Sequence, residues 1–331
     1  MRILVTGADG YVGGRLVPRL VAAGHRVRVL APRDVSDRAW ADRVEVVRGG
    51  DRAALDAAVR GVQVVYHLAH PTSRERTVER DEVLTAESIA RAAKGARVRR
   101  VVHLGELRPE ADPEAWSAQL RARAAAGQVL IESGVPTASL QPGLIIGGGS
   151  AALELIRHLL GGLAYLPAPR WMRNRMQPIA IDDLLHYLVA CLKLPKQANR
   201  TFDVGGPDVL RVGQLINGYA VEAGLPQRKI APLPVTARQL TRRWAEMVTR
   251  LPDTIVEPLI AALQHDAICR ENAIRIFLPD PPDGLIPYRA AVRAALDEGD
   301  EPPTTWRDDV RAEERVLGRR RWRLFHLLPR R

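Results

Sequence analysis

Between the apolar run Ile3–Val5 and a helix-forming stretch lies Thr6-Gly7-Ala8-Asp9-Gly10-Tyr11-Val12-Gly13, with glycines at three-residue intervals. This spacing restricts the fold because each glycine answers a different steric demand. Gly7 permits the tight turn out of the strand, Gly10 lets the backbone approach a pyrophosphate, and Gly13 lets the next helix pack closely on the strand. The N–H groups that open that helix then face the anion. Thr6, Gly7, Gly10, Tyr11, Val12 and Gly13 are the first candidate dinucleotide contacts.

The rest of the first half repeats the same alternation. Val27–Ala31, Val44–Val47, Val62–Ala69, Val101–Leu104 and Thr137–Leu140 are short, β-branched and bounded by turn residues, as strands are. Gly13–Ala23, Arg52–Arg60, Glu75–Ala93 and Pro113–Ser133 are long and rich in Ala, Leu, Arg and Glu, as helices are. Strand alternating with helix predicts an α/β, doubly wound parallel sheet, the Rossmann arrangement, over residues 1–148.

After residue 148 the rhythm changes to a smaller, mainly helical lobe over 149–300, interleaved with the first domain. Helices are expected at Ala151–Leu163, opening at Asp182 or Asp183 as N-cap, and at 212–223, 236–248, 254–264 and 288–297. Strands are expected near Gln177–Ile181 and at Thr201–Val204, an irregular stretch at Pro167–Arg175, and a turn-rich connector at Pro279–Gly284. Asp300-Glu301-Pro302-Pro303 marks a boundary before a basic tail over 301–331.

Composition excludes several classes. With 331 residues, 46% hydrophobic and 26% charged, the chain can build a core and is neither disordered nor collagenous. Its two cysteines, Cys191 and Cys269, are isolated, so no disulfide framework exists. No His, Cys or carboxylate spacing suits a metal. The absence of a charged-then-apolar leader and of a long apolar run leads to the expectation of a cytoplasmic protein. Of the net charge of +11, residues 315–331 carry seven arginines and no acid, which leaves +4 for the other 314 residues. Most of the basicity thus lies in the tail.

The cofactor type turns on the end of the second strand, Val29-Leu30-Ala31-Pro32-Arg33, where an NAD-type site needs an acid for the ribose hydroxyls. Ala31 occupies that position, and Arg33 can grip a 2′-phosphate, so NADP(H) is favoured over NAD(H). Asp34 keeps NAD(H) open, and Arg33 as a solvated loop charge is the alternative.

Thr-Gly-x-x-Gly-x-x-Gly, Val65-Tyr66-His67-Leu68-Ala69 and Asp203-Val204-Gly205-Gly206-Pro207 together resemble the short-chain dehydrogenase/reductase superfamily, in its extended and atypical branches. Leu140-Gln141-Pro142-Gly143-Leu144-Ile145-Ile146-Gly147, Pro169-Arg170-Trp171 and Gln177-Pro178-Ile179-Ala180-Ile181-Asp182-Asp183 look like the atypical NAD(P)H-binding subgroup termed NAD-dependent epimerase/dehydratase or NmrA-like. The resemblance covers roughly residues 1–300. It implies cofactor contacts from the glycine loop, Arg33, Leu68 and Ala69, Leu104 and Gly105, and Pro142, Gly143, Leu144 and Ile145, with Asp51 near the adenine.

Catalytic members of that superfamily carry Tyr-x-x-x-Lys on the helix after the fifth strand and a Ser or Thr just past that strand. Positions i and i+4 share a helical face, so the Lys lowers the Tyr pKa while the Tyr passes a proton. Here Gln119 and Arg123 stand in those positions and Gly105-Glu106 in place of the Ser. Gln119 is no acid, and Arg123 can bind ribose or phosphate but cannot act as a base. The standard relay is absent, and the candidate replacements are His70 and Glu106, with Arg123 beside them. The alternatives are that His70 caps a turn before Pro71 and that Glu106 pairs with a nearby Arg, while His67, His103 and His186 read as satisfied core or surface histidines.

Arg170-Trp171-Met172-Arg173-Asn174-Arg175 offers a lid for an anionic or aromatic small-molecule substrate through Arg170, Trp171 and Arg173, or a loop pinned by Trp171 and Met172. The tail 315–331 mixes Arg with Trp, Phe and Leu, which suits an anionic membrane surface or a protein partner, and hence a peripheral membrane location. It suits equally a tail packed on its own domain, and specific nucleic-acid binding is not expected. Two activities fit the whole: an NADP(H)-dependent oxidoreductase lacking the Tyr-Lys pair, or a non-catalytic NAD(P)H sensor or scaffold.

Overall fold

The alternation read from the sequence closes into one parallel sheet whose strand ends define the site. The computed structural model describes residues 1–69, 77–160, 165–168, 170–232 and 259–298. His70, the helix expected at 236–248, residues 254–258 of that expected at 254–264, the boundary at Asp300–Pro303 and the tail 315–331 lie outside the described residues.

The first unit runs β1 (Arg2–Thr6), α1 (Tyr11–Ala22), β2 (Arg26–Ala31), β3 (Glu45–Arg48), α2 (Arg52–Ala58), β4 (Val64–His67), α3 (Val78–Gly95), β5 (Arg100–Leu104), α4 (Ala118–Glu132) and β6 (Thr137–Pro142). It continues with β7 (Ile145–Ile146), α5 (Ala151–Leu160), β8 (Tyr165–Ala168), β9 (Arg175–Met176), β10 (Ile179–Ala180), α6 (Ile181–Ala190), β11 (Arg200–Val204), β12 (Leu210–Arg211), α7 (Val212–Glu222), β13 (Lys229–Pro232), α8 (Ile274–Phe277) and α9 (Tyr288–Asp297). Seven strands pair in the order β11-β6-β5-β4-β1-β2-β3, all parallel. The order reverses between β1 and β4, and that is where a doubly wound sheet opens a crevice at the carboxyl ends of its strands.

Two cores flank the sheet. Ile3, Val5, Val29, Tyr66, Val102, Leu140 and Phe202 pack with Leu16 and Leu20 of α1 and Leu184 and Leu188 of α6. On the other face Leu4, Val65 and Val101 pack with Leu55 of α2, Ala86 and Ile89 of α3 and Ala126 and Leu130 of α4. The first core therefore takes in α6 and β11, from far beyond residue 148. A third cluster joins α5, α7 and α9 through Leu155, Leu159, Leu215, Ile216 and Val292.

Three local readings are corrected. Pro167–Arg175 is not irregular throughout: Tyr165–Ala168 pairs in parallel with β13, and Arg170–Arg173 forms a 3-10 turn. The N-cap of α6 is Ala180 and not Asp182 or Asp183. Asp182 instead pairs with Arg19 of α1, and Asp183 accepts from the Ile286 N–H at 2.8 Å. The strand expected over Gln177–Ile181 shrinks to Ile179–Ala180, because Ile181 already opens the helix.

Candidate active site

The glycine loop shows which glycines the chain itself requires. Gly7 has φ +74°, and a Cβ there would stand 2.5 Å from the Ala69 nitrogen at the end of β4. A Cβ on Gly13 would stand 2.1 Å from the Gly7 carbonyl. Gly10 is the roomier position, its nearest neighbour being the Gly7 oxygen at 3.2 Å. Smallness at Gly7 and Gly13 is demanded by packing, whereas at Gly10 it keeps a surface open to a ligand.

Helix α1 has Gly10 as its N-cap, with no side-chain cap and no acid in its first turn. Its leading N–H groups are thus presented to whatever occupies the loop, which is the donor set a pyrophosphate needs. By contrast Asp51 caps α2, accepting from the Ala54 N–H at 2.8 Å, so the residue expected near the adenine has a structural task of its own. Tyr11 reaches across to Gly147, where a Cβ would come within 2.4 Å of its hydroxyl, and Arg15 lies 4.4 Å over its ring. Burial pushes the Tyr11 phenol well above its ordinary range, so it is no ready acid.

At the end of β2 the charges are sorted. Asp34 pairs with Arg48 at 2.7 Å, and Ser36 and Arg48 hold its carboxyl below its usual range. Arg38 donates to the Asp9 carbonyl in the glycine loop at 3.0 Å. Arg33 is exposed.

Leu68 and Ala69, Leu104 and Gly105, and Pro142 to Ile145 follow neighbouring strands, so the sheet order brings them along one edge. The Gly105 N–H donates to Leu140 at 2.7 Å, and the Gly143 N–H donates to Val204 at 3.1 Å. A Cβ on Gly143 would overlap the Gln177 carbonyl at 1.9 Å. The crossing from β6 into the second lobe is fixed by that close approach.

Helix α4 runs back over the sheet with Gln119, Arg123 and Gly127 on one stripe, four residues apart. Gly127 sets the height: a Cβ there would stand 3.0 Å from the Ser139 Oγ and 3.4 Å from the His103 Nδ1. One turn closer to the strand ends, Arg123 meets Glu106 in an ion pair of 2.5 Å, with side chains 28% and 24% exposed. The expected pairing of Glu106 with an arginine is the one formed.

Beneath that pair lies a polar row that the strands' apolar composition hides. The register aligns Thr6, His67, His103, Ser139 and Thr201 across five strands. Thr6 Oγ1 lies 3.1 Å from the His67 Nδ1, the two imidazoles stack with centroids 5.7 Å apart, and the His103 Nδ1 lies 2.9 Å from the Ser139 Oγ. Above the row α3 contributes Glu82, only 2% exposed. Glu82 was not singled out in the sequence, although Val78, Glu82 and Ala86 on one helical face give a signal: a carboxylate in an otherwise apolar stripe.

Trp171 and Met172 are buried in the second lobe's core, so the pinning alternative describes them, while Arg170 and Arg173 remain exposed. Cys191 and Cys269 are free thiols whose pKa burial pushes up to about 12. Neither offers a thiolate nucleophile near neutral pH. Among the described residues no cluster suits a metal ion and no helix is long and apolar enough to cross a membrane.

Comparison with known proteins agrees with this geometry. Residues 7–158 match a family model described as NAD(P)H-binding. The chain is 32% identical over 237 residues to (4-alkanoyl-5-oxo-2,5-dihydrofuran-3-yl)methyl phosphate reductase of Streptomyces griseus, covering 68% of this chain and 75% of that protein. It is 32% identical over 262 residues to ceramide reductase of Caulobacter vibrioides, covering 74% and 78%. In fold it is similar to a nucleoside-diphosphate-sugar epimerase from Staphylococcus aureus, with a TM-score of 0.68 at 14% identity over 88% of this chain and all of that one.

Proposed function

This chain belongs to the NAD(P)H-binding, epimerase- and reductase-like branch of the short-chain dehydrogenase/reductase superfamily, and we propose that within it the chain is an NADP(H)-dependent reductase of a small, electron-poor acceptor such as a quinone or enone. The observation that carries this reading is the Glu106–Arg123 ion pair, in the place where the superfamily keeps its Ser, Tyr and Lys.

The dinucleotide, when bound, supplies the hydride. The protein's part is to orient it along the strand ends and to meet the charge that builds on the acceptor. Arg123 cannot give up a proton, but its guanidinium stabilises an oxyanion as it forms. An enolate or phenolate spreads that charge by resonance and can take its proton afterwards, from water or from His70. A simple ketone yields a localised alkoxide and depends on an acid in the same step, whose loss costs about 10²–10⁴-fold. Glu106, in its ion pair with Arg123, orients that guanidinium and does not itself act as the acid.

The preference for NADP(H) is supported by Ala31 where a ribose-binding acid would stand, by Asp34 being engaged with Arg48, and by exposed Arg33 nearby. Titration with NADPH and NADH, followed by cofactor oxidation against quinones, enones and aldehydes, tests the whole. The expected result is tighter NADPH binding, weakened about tenfold by Arg33→Ala, with turnover of quinones or enones that Arg123→Ala lowers. Tight binding without turnover of any acceptor would instead favour the non-catalytic sensor.

A further inference from the structure

At the carboxyl end of β11, three strands along the sheet from β4, lies a cavity of about 270 Å³. Asp203 to Gly205 form one wall, and the segment Cys269–Asn272 with Arg275 forms another. The walls approach this closely only because residue 205 is a glycine. A Cβ there would stand 2.8 Å from the Cys269 Sγ and from the Gln177 side chain.

What the cavity can take follows from which of its polar groups are already engaged. Asp203, 6% exposed, stands opposite Gln141, 4% exposed, in the β6–β11 register. In the amide orientation that satisfies both neighbours, Gln141 donates to the Asp203 Oδ1 at 3.0 Å and accepts from the Arg108 Nε and Nη2 at 3.0 and 3.1 Å. The other Asp203 oxygen accepts from the Arg270 N–H at 2.9 Å. Glu271 accepts from the Asp203 N–H at 2.9 Å through one oxygen and from the Ala273 N–H through the other. Gln177 is engaged at both ends of its amide, by the Cys269 N–H and the Gly206 carbonyl, each at 2.9 Å. Tyr187 and Arg275 both turn to Asp280, at 2.5 and 3.1 Å. The exception is the Arg270 guanidinium, which has no hydrogen bond or ion pair to any of the described residues. Two carboxylates and two guanidiniums line the cavity, so net charge does not choose its guest. Free bonding capacity does, and it is that of a planar fork of N–H donors, the match of a carboxylate. With Asp203 and Glu271 beside it, a singly charged carboxylate fits better than a dianionic phosphate.

The same bonds connect the cavity to the reaction centre. Arg108 belongs to the loop after β5 that carries Glu106, so Arg108, Gln141 and Asp203 bridge the ends of β5, β6 and β11. At the spacing of neighbouring strands, β5 and β11 are about 10 Å apart. We propose that this cavity is a subsite for a carboxylate on the acceptor's tail, gripped by Arg270 about 10 Å from the reducible bond. That the guest is a substrate rests on the reductase reading; that the cavity binds a carboxylate does not.

The test gives the full chain, with NADPH, a naphthoquinone bearing a carboxypentyl tail and the methyl ester of the same compound. The acid is expected to have a kcat/KM about tenfold above that of the ester, through a lower KM, and Arg270→Gln to bring the two together. Arg270 is exposed and its guanidinium holds no other described group, so the variant should fold. Equal kcat/KM for acid and ester in the wild type, or a preference that survives Arg270→Gln, overturns the proposal. Calorimetry on the protein saturated with NADP⁺ supplies a readout that needs no turnover, and there too the acid should bind more tightly than the ester only while Arg270 is present. If neither quinone is reduced but this Arg270-dependent binding is seen, the reductase reading fails and the subsite stands. If the acid binds no better than the ester, the subsite fails whatever the turnover.

Discussion

Leu104, Leu140 and Phe202 point from the sheet toward α1 and α6, while their sequence neighbours His103, Ser139 and Thr201 point toward α3 and α4. At the same height the two faces have opposite chemistry. One is an apolar layer joined by Val5, Tyr66 and Val102, in which the Tyr66 hydroxyl donates to Leu188 at 2.8 Å. The other is a row of hydroxyls and imidazoles in which Thr6 Oγ1 meets the His67 Nδ1 and Ser139 Oγ meets the His103 Nδ1. Lower down, Leu4, Val65 and Val101 make that second face apolar as well. There Thr137, level with Val101, is a buried polar exception, its hydroxyl donating to Leu130 of α4 at 3.0 Å. The apolar face supplies stability at about 25 cal/mol per Å² buried, whereas a satisfied polar row adds about 1 kcal/mol per bond and mainly fixes positions.

Breaking the apolar face should have the largest effect. Phe202→Ala is expected to cost about 3–5 kcal/mol in urea unfolding, with cofactor affinity of the folded fraction retained. An equal loss of NADPH affinity would mean that the two faces are not separable. On the polar face Gly127→Val drives side-chain atoms into Ser139 and His103, and about 1–3 kcal/mol of stability should go, together with turnover. Were activity to survive that change intact, the height of α4 would not matter to the site.

Tyr66→Phe sharpens the contrast, because it removes a fully buried hydroxyl from the apolar side. About 1 kcal/mol is expected, read as a small drop in Tm without kinetic change. The smallest effect is in the pH dependence. Because the Glu82 carboxyl is raised in the fold, its protonated form stabilises the native state below its unfolded pKa, and that contribution is lost as pH rises through the raised value. Wild type should therefore lose stability relative to Glu82→Gln as pH climbs out of the ordinary carboxylate range. Parallel Tm curves for the two proteins would show that the Glu82 carboxyl titrates alike in the folded and unfolded states.

Much of the fold was legible because its signals are local. β-branched runs, helix-length Ala- and Leu-rich stretches and the glycine spacing each constrain a few consecutive residues. The α6 start was misread because acids near a helix opening suit either a cap or the first turn, and Arg19 and the Ile286 N–H, far away in sequence, claimed them. Tyr165–Ala168 was missed because its partner strand lies over sixty residues on. At the site, the missing Tyr-Lys pair and the Glu106–Arg123 alternative were readable by counting along a helix. Glu82 and the His67–His103 stack were not, although His67-Leu68, His103-Leu104 and Ser139-Leu140 end their strands alike.

By itself, then, the sequence determined the doubly wound sheet, the phosphate loop and the absence of the usual proton relay, because backbone sterics and helix periodicity act over neighbouring residues. Only the tertiary structure decided that five strands would align their polar residues under one buried carboxylate. Parallel register and helix height are set by the packing of whole faces, and no single segment contains that information.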